Sequence, residues 1–166
     1  MLHTQRRRFP RAPLESPAIC TAPACRIDAV VWQVSEGGLF AELPVHDALP
    51  RRLAISFDLP GHGAHRVIAE PVWLSRGPPH AIPQATEGAG FVFRDLPMSS
   101  RAAMAAYVRQ SRQTYARLQF ELALDRPTAR FAGLVRDAGL AGVESNVLKS
   151  HVRRALQRLR VEPAGR

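Results

Sequence analysis

The sequence predicts a mainly β protein with added α structure: a six-stranded antiparallel β-barrel followed by C-terminal helices. Six short apolar runs, separated by turn residues and without a helical period between them, favour a small barrel in residues 14–98. From Ser100 the composition changes to Ala, Leu, Arg and Gln, which favour helices. With 166 residues and 46% hydrophobic content, the chain can bury one domain core and carry an appendage.

These observations divide the chain into three predicted parts. Residues 1–13 form a flexible basic arm, because a segment with adjacent arginines and two prolines lacks the apolar contacts that order a terminus. Residues 14–98 form the barrel, and residues 99–166 form a helical C-terminal extension.

The six apolar runs are predicted to be the strands of the barrel. Their bounds are residues 18–21, 27–34, 39–43, 53–57, 67–74 and 90–93. Gly37 and Gly38 predict a tight turn before the third strand. Pro71 lacks an amide donor, so it should lie at a bulge or an edge. The proline-rich segment 76–86 should be an exposed loop, and Trp32 and Trp73 are expected in the barrel core.

Three helices are predicted after the barrel. The first is capped by Ser99 or Ser100 and extends to about residue 124, with apolar residues at helical spacing. The second covers residues 128–138 and has Gly139 as its C-cap. The third covers residues 145–160, with one apolar stripe and basic residues on its other faces.

The positive charge is concentrated in the helical part. The formal net charge is +9. Residues 99–166 hold 13 Lys/Arg and 5 Asp/Glu, a charge of +8, whereas residues 1–98 hold 10 and 9, a charge of +1. Such asymmetry fits an acidic partner, and it fits equally a set of solvated arginine-rich helix faces.

The sequence predicts neither a catalytic nor a metal site. It has no nucleophile elbow, no Walker-type loop and no evident Ser/His/Asp grouping. Cys20 and Cys25 lack two further ligands at suitable spacing, so they are predicted to be ordinary side chains in a reducing compartment. No apolar run approaches the length of a membrane-spanning helix, and the basic N-terminus lacks a signal-peptide core. We therefore expect a cytoplasmic protein.

Two short motifs carry the prediction of a ligand site. Arg7 and Arg11 form an Arg-x-x-x-Arg pattern near the N-terminus. About two dozen residues later, Gln33, Ser35 and Gly38 follow the pattern x-x-Ser-x-x-Gly at the end of an apolar run. The arginine fork can grip a phosphate, or the O6/N7 edge of guanine, with two parallel hydrogen bonds. The pair of motifs therefore indicates a ligand that carries guanine and phosphate.

This pair of motifs resembles the PilZ domain, the bacterial receptor module for the second messenger cyclic di-GMP. The family pattern is Arg-x-x-x-Arg followed by Asp or Asn-x-Ser-x-x-Gly. This chain departs from the pattern at Gln33, where the family has Asp or Asn. Further similar segments are residues 57–61, 72–73 and 88–93, so that the resemblance extends over roughly residues 5–97.

The resemblance implies that the arm folds over cyclic di-GMP, the only small-molecule ligand we expect. Arg7 and Arg11 would bind phosphates and guanine, and Arg8 would add positive field. Ser35 would offer its hydroxyl at the rim of the ligand site. Gly38 would permit a positive φ and a close approach of the backbone to the ligand. Gln33 replaces a charge-assisted acceptor with a neutral one, a loss of about 1.5–3 kcal/mol if nothing compensates.

We therefore predict a non-catalytic cyclic di-GMP receptor that relays binding to a partner through its C-terminal helices. The alternative is a degenerate PilZ-like adaptor that does not bind the nucleotide and acts by protein contacts. Self-association through the helical residues 99–160, including Tyr115, Leu118, Leu122 and the last helix, is a further hypothesis.

DNA binding is the third hypothesis for the basic helices. Residues 131–159 loosely resemble a helix-turn-helix that would direct Asn146, Lys149 and Arg153 toward DNA. The predicted turn 139–144 is longer than that motif allows, which weakens the hypothesis.

Overall fold

Six antiparallel strands close into a barrel, as the sequence predicts. The computed structural model describes residues 9–44, 49–77, 85–124 and 126–159. The strands are β1 (Ala12–Ala22), β2 (Cys25–Ser35), β3 (Gly38–Glu42), β4 (Leu53–Leu59), β5 (Gly63–Ser75) and β6 (Gly88–Arg94). Their order around the closed barrel is β1-β2-β3-β6-β5-β4, and every neighbouring pair is antiparallel.

Strand β1 begins earlier than the sequence indicates. Ala12 and Pro13, assigned above to the arm, are its first two residues. Proline in this segment hides the strand signal, yet Ala12 and Leu14 are buried while Pro13 and Glu15 are less buried, the period-two pattern of a strand. A register shift between Pro13 and Ser16 accommodates the missing amide donors.

The barrel interior is filled by small and branched apolar side chains from all six strands. Val31, Leu39, Ile55 and Phe91 are essentially inaccessible to solvent. Cys20 also lies in this core as a free thiol, and burial, followed by the proximity of Cys25, raises its pKa to about 11. Cys20 therefore behaves as a small apolar residue rather than as a reactive thiol.

A β-bulge in β5 determines which of its last side chains face outward. Pro71 lies at a register shift between itself and Trp73, which confirms the expectation of a bulge. The shift takes Trp73 out of the alternation that points Val67 and Ala69 inward. Trp73 therefore packs outside the barrel, where its ring stacks on that of Phe40 with the ring centroids 5.2 Å apart.

The expectation that both tryptophans fill the barrel core was wrong. Trp73 is 39% exposed. Trp32 is half-buried and packs on Phe40 in a cluster separate from the interior. Since Trp32 follows the inward-facing Val31, ordinary alternation alone directs it outward.

Three helices follow the barrel: α1 (Met98–Leu122), α2 (Phe131–Asp137) and α3 (Ser145–Leu159). Neither Ser99 nor Ser100 caps α1, because the N-cap position is Pro97 and both serines lie in the first turn. The Oγ of Ser100 lies 3.2 Å from Nδ1 of His65 instead. The C-cap of α2 is Ala138 rather than the predicted Gly139, which follows it with a positive φ of 68°.

Helices α1 and α3 pack together into a second core. Their buried side chains, with Ala12 of β1, form an apolar cluster outside the barrel interior, whereas Met104 of α1 packs into the barrel core. Tyr115 and Leu118 are 3% and 0% exposed, covered within their own chain. The hypothesis of self-association through these two side chains was therefore wrong. None of the helices in the described residues is long and apolar enough to span a membrane.

Candidate functional site

The turn between β2 and β3 is built by the hydroxyl of Ser35. Its Oγ donates to the carbonyl oxygen of Gly38 at 3.0 Å. It also accepts from the backbone N–H groups of Gly38, at 3.2 Å, and of Gly37, at 3.4 Å. Ser35 is 4% exposed, so the hydroxyl serves the turn from inside rather than standing at an open rim.

Gly38 is required by close packing of two strands. A Cβ at this position would collide with the carbonyl oxygen of Phe91 on β6. Gly38 is not among the described glycines with positive φ, so the expected left-handed conformation is not used here. The absence of a side chain instead lets β3 pair closely with β6, and the N–H of Phe93 donates to the carbonyl oxygen of Gly37 at 3.0 Å.

The end of the arm reaches this turn. The ring of Phe9 lies over Gly37, where a Cβ would meet its Cδ2 atom at 2.7 Å. Ala12 pairs with Val34 in the β1–β2 ladder, which places the preceding Arg11 beside the turn. The structure thus brings Arg11 and the residues of the second motif to one end of the barrel. Arg7 and Arg8 lie outside the described residues.

Gln33 lies on the outer face of the barrel beside the turn. A register shift between Val31 and Gln33 takes it out of alternation, and it stands opposite Pro13 on one side and Phe40 on the other. Gln33 is 2% exposed, and its Nε2 has no hydrogen-bond partner among the residues that the structure describes. Such a buried, unpaired donor costs about 1–3 kcal/mol. The site therefore contains one amide group without an acceptor.

A cleft of about 590 Å³ opens beside this end of the barrel. It lies between strands β1 and β2 on one side and the helices on the other. Its lining includes Pro13, Trp32, Tyr107, Tyr115, His151 and Arg158. The lining also includes Arg136 and the carboxylates of Glu15 and Asp137. A cavity of this size with several aromatic side chains suits a small organic molecule.

The polar groups of the cleft are partly desolvated. The hydroxyl of Tyr107 donates to the carbonyl oxygen of Pro13 at 2.9 Å, which joins α1 to β1. Burial raises the pKa of Tyr107 and, more strongly, that of Tyr115. Burial also lowers the pKa of His151, and the nearby guanidinium groups of Arg154 and Arg158 lower it further.

A second cavity, of about 310 Å³, has an acidic lining that includes Asp28, Glu42 and Glu87. Burial alone would raise the pKa of Glu42, but hydrogen bonds from Thr86 and from the Trp32 indole outweigh it and lower the pKa. The carboxylate thus stays ionised, and the acidic lining disfavours an anionic ligand. Among the described residues, no three His, Cys, Asp or Glu side chains converge into a possible metal site.

One contact at this end of the barrel was not foreseen from the sequence. The backbone N–H of Arg11 donates to the carbonyl oxygen of Arg158, at 3.2 Å, in the last turn of α3. These residues are almost the whole chain apart, and no local pattern couples them. The sequence marks only the run of basic residues on the last helix, which the DNA-binding hypothesis directs toward DNA.

Comparison with known proteins gives one family. A model of the PilZ domain matches residues 5–110. Among solved structures, the inhibitor of motility MotI/DgrA of Bacillus subtilis is similar at a TM-score of 0.52 and 15% identity, covering 64% of this chain and 51% of that one. YcgR in complex with c-di-GMP from Escherichia coli is similar at a TM-score of 0.52 and 20% identity. The match covers 68% of this chain and 50% of that one.

These structural similarities are similarities of fold. This chain spans about half the length of each of those two chains. No curated protein matches the chain significantly.

Proposed function

The chain belongs to the PilZ domain family, and from this membership we propose that it is a non-catalytic receptor for cyclic di-GMP. The observation that carries the proposal is the meeting of the arm with the β2–β3 turn, where Phe9 lies over Gly37 and Arg11 precedes β1. Similarity of fold to YcgR, whose structure is a complex with c-di-GMP, indicates which ligand to test first.

In the proposed complex, the two arginines of the arm provide most of the charge recognition. Arg7 and Arg11 bind the phosphates and the guanine N7/O6 edge, and Arg8 adds positive field. Ser35 and Gly38 act indirectly, because the serine closes the turn and the glycine lets β3 and β6 meet. Together they hold the outer surface against which the arm closes.

Gln33 takes the place of the family's Asp or Asn and has different hydrogen-bonding ability. A carboxylate can only accept, whereas the amide of Gln33 also donates. Its Nε2 lacks a partner, so an acceptor atom of the ligand would satisfy it. We propose that Gln33 retains binding at reduced affinity, since a neutral acceptor replaces a charge-assisted one.

The relay to a partner is a further part of the proposal. Ala12 packs in the helical cluster and Arg11 is hydrogen-bonded to α3, so closure of the arm changes the environment of the helices. Hydrogen exchange with and without cyclic di-GMP tests this relay. We expect altered protection in α1 and α3, and unchanged protection across residues 99–160 would contradict it.

Titration calorimetry with cyclic di-GMP tests the receptor function. We expect a saturable heat that is lost or weakened by about ten- to a hundred-fold in Arg7→Ala, because a charge-assisted contact disappears. Arg66→Ala is the matched control, since Arg66 is exposed on β5 and carries the same charge. Absence of any heat at millimolar ligand would favour the non-binding adaptor, whereas equal losses in both variants would show that overall positive charge, rather than the arm, governs binding.

DNA binding is addressed by a separate experiment. Asn146, Lys149 and Arg153 are exposed on α3, so they are accessible to a polyanion. A mobility shift on random duplex DNA that weakens steeply with salt would support this alternative. We expect no shift at physiological salt.

A further inference from the structure

The cleft beside β1 starts where the basic arm ends. Pro13, on its barrel wall, is two residues beyond Arg11 and pairs with Gln33 in the β1–β2 ladder. Trp32, next to Gln33, lines the same wall. A ligand held by the arm and the β2–β3 turn therefore borders this cleft. The volume of about 590 Å³ lies within the usual range for a small-molecule site.

The opposite wall of the cleft includes the last turn of α3. Arg158 lines the cleft, and its backbone carbonyl accepts the N–H of Arg11 at 3.2 Å. Ala12, next to Arg11, is fully buried in the same apolar cluster as Leu159. These backbone and apolar contacts hold the last turn of α3 at the root of the arm.

Arg158 lines the cleft together with Tyr115 and His151. Its positive charge counters the burial-driven rise in the pKa of Tyr115 and adds to the lowering of the pKa of His151. A guanidinium beside aromatic rings is a combination that binds phosphate and stacks on purines.

We propose that Arg158 binds cyclic di-GMP directly, as a cation supplied by the C-terminal extension in addition to the two arginines of the arm. This inference rests on the proposed function. Arg158 lies beyond residues 5–110, which match the family model, so it adds to the site a residue from outside the shared domain. The helical extension would then form part of the receptor site itself.

Arg158→Ala tests the contribution of the Arg158 side chain separately from that of its backbone carbonyl. Substitution of the Arg158 side chain keeps the backbone carbonyl that accepts the Arg11 N–H, so this contact between α3 and the arm can still form. In titration calorimetry of the full chain, we expect the Kd for cyclic di-GMP to rise about ten-fold or more. Arg153→Ala is the control, because Arg153 is an exposed residue of α3 that loses the same charge. It should change Kd by less than about two-fold.

A purely structural role of Arg158 would change the affinities and salt dependences of the variants in a different way from direct ligand contact. Direct contact predicts a shallower dependence of log Kd on log salt in Arg158→Ala than in Arg153→Ala. Arg158→Met retains the apolar stem, so it serves if the alanine variant loses stability, and it should show the same loss of affinity. If the wild type binds while Arg158→Met and Arg153→Ala bind equally well, the inference is overturned. If the wild type does not bind at all, the proposed function itself fails.

Discussion

The ring of Phe9 lies over the backbone of Gly37, so that the last residues of the arm cover the β2–β3 turn. A Cβ at Gly37 would meet the ring at 2.7 Å and displace it. The contact joins the two sequence motifs through residues at their variable positions, Phe9 in the first and Gly37 in the second. It brings the end of the arm against the turn, the arrangement on which the proposed site depends.

Gly37→Val should weaken cyclic di-GMP binding by displacing Phe9. Loss of about 1 kcal/mol of apolar contact corresponds to roughly a five-fold rise in Kd. Gly77→Val is the control, because a Cβ there meets no atom within 4 Å. Calorimetry of both variants checks the prediction, and equal affinities would show that the Phe9 contact does not contribute to binding.

Gln33 should affect stability and binding in opposite directions. Gln33→Leu removes a buried donor that has no partner, so we expect the ligand-free protein to become more stable by about 1–3 kcal/mol. The same variant should bind cyclic di-GMP more weakly. Urea unfolding and calorimetry measure the two effects.

Gln33→Asp should show the reverse pattern. A buried carboxylate lowers the stability of the free protein, while a restored charge-assisted acceptor strengthens binding about ten- to a hundred-fold. Weaker binding in this variant would mean that the glutamine amide is itself the group that suits the ligand.

Gly38→Ala should destabilise the barrel. Its Cβ would collide with the Phe91 carbonyl oxygen, and such overpacking typically costs about 1–3 kcal/mol. Gly133→Ala is the matched control: it lies in α2 with open space around its Cβ position, and it should stabilise by about 0.5–1 kcal/mol. Thermal unfolding of the two variants should therefore shift in opposite directions.

The stability of the helical part should decrease as the pH falls below about 6.5. Burial, together with Arg154 and Arg158, lowers the pKa of His151 from its ordinary value of 6.5. Below pH 6.5 the unfolded chain takes up a proton before the folded chain does, so protonation favours unfolding. At higher pH both states are neutral at His151 and the effect vanishes.

His151→Gln should reduce this pH dependence. Urea unfolding at pH 7.5 and 5.5 measures the free energy of unfolding of both proteins, and the difference between the two pH values should be smaller in the variant. An identical difference would show that His151 does not couple protonation to folding.

Much of the fold was predictable because its signals are local. Turn residues separated six apolar runs, and the helical periodicity after Ser100 identified all three helices. Pro71 predicted its own bulge, since a residue without an amide donor cannot continue the ladder. By contrast, the orientation of Trp73 depends on that bulge, which reverses the alternation after it, and the sequence alone does not specify in which direction the register shifts.

The sequence by itself determined the barrel and the three helices, because turn residues and apolar periodicity are local signals. Only the tertiary structure decided that the Ser35 hydroxyl forms its hydrogen bonds within its own turn. It also decided that Gln33 faces outward with an unpaired amide among the described residues, and that Arg158 adjoins Arg11. The physical reason is distance along the chain. Contacts between remote segments depend on how complete elements pack, and no local pattern of residue types encodes them.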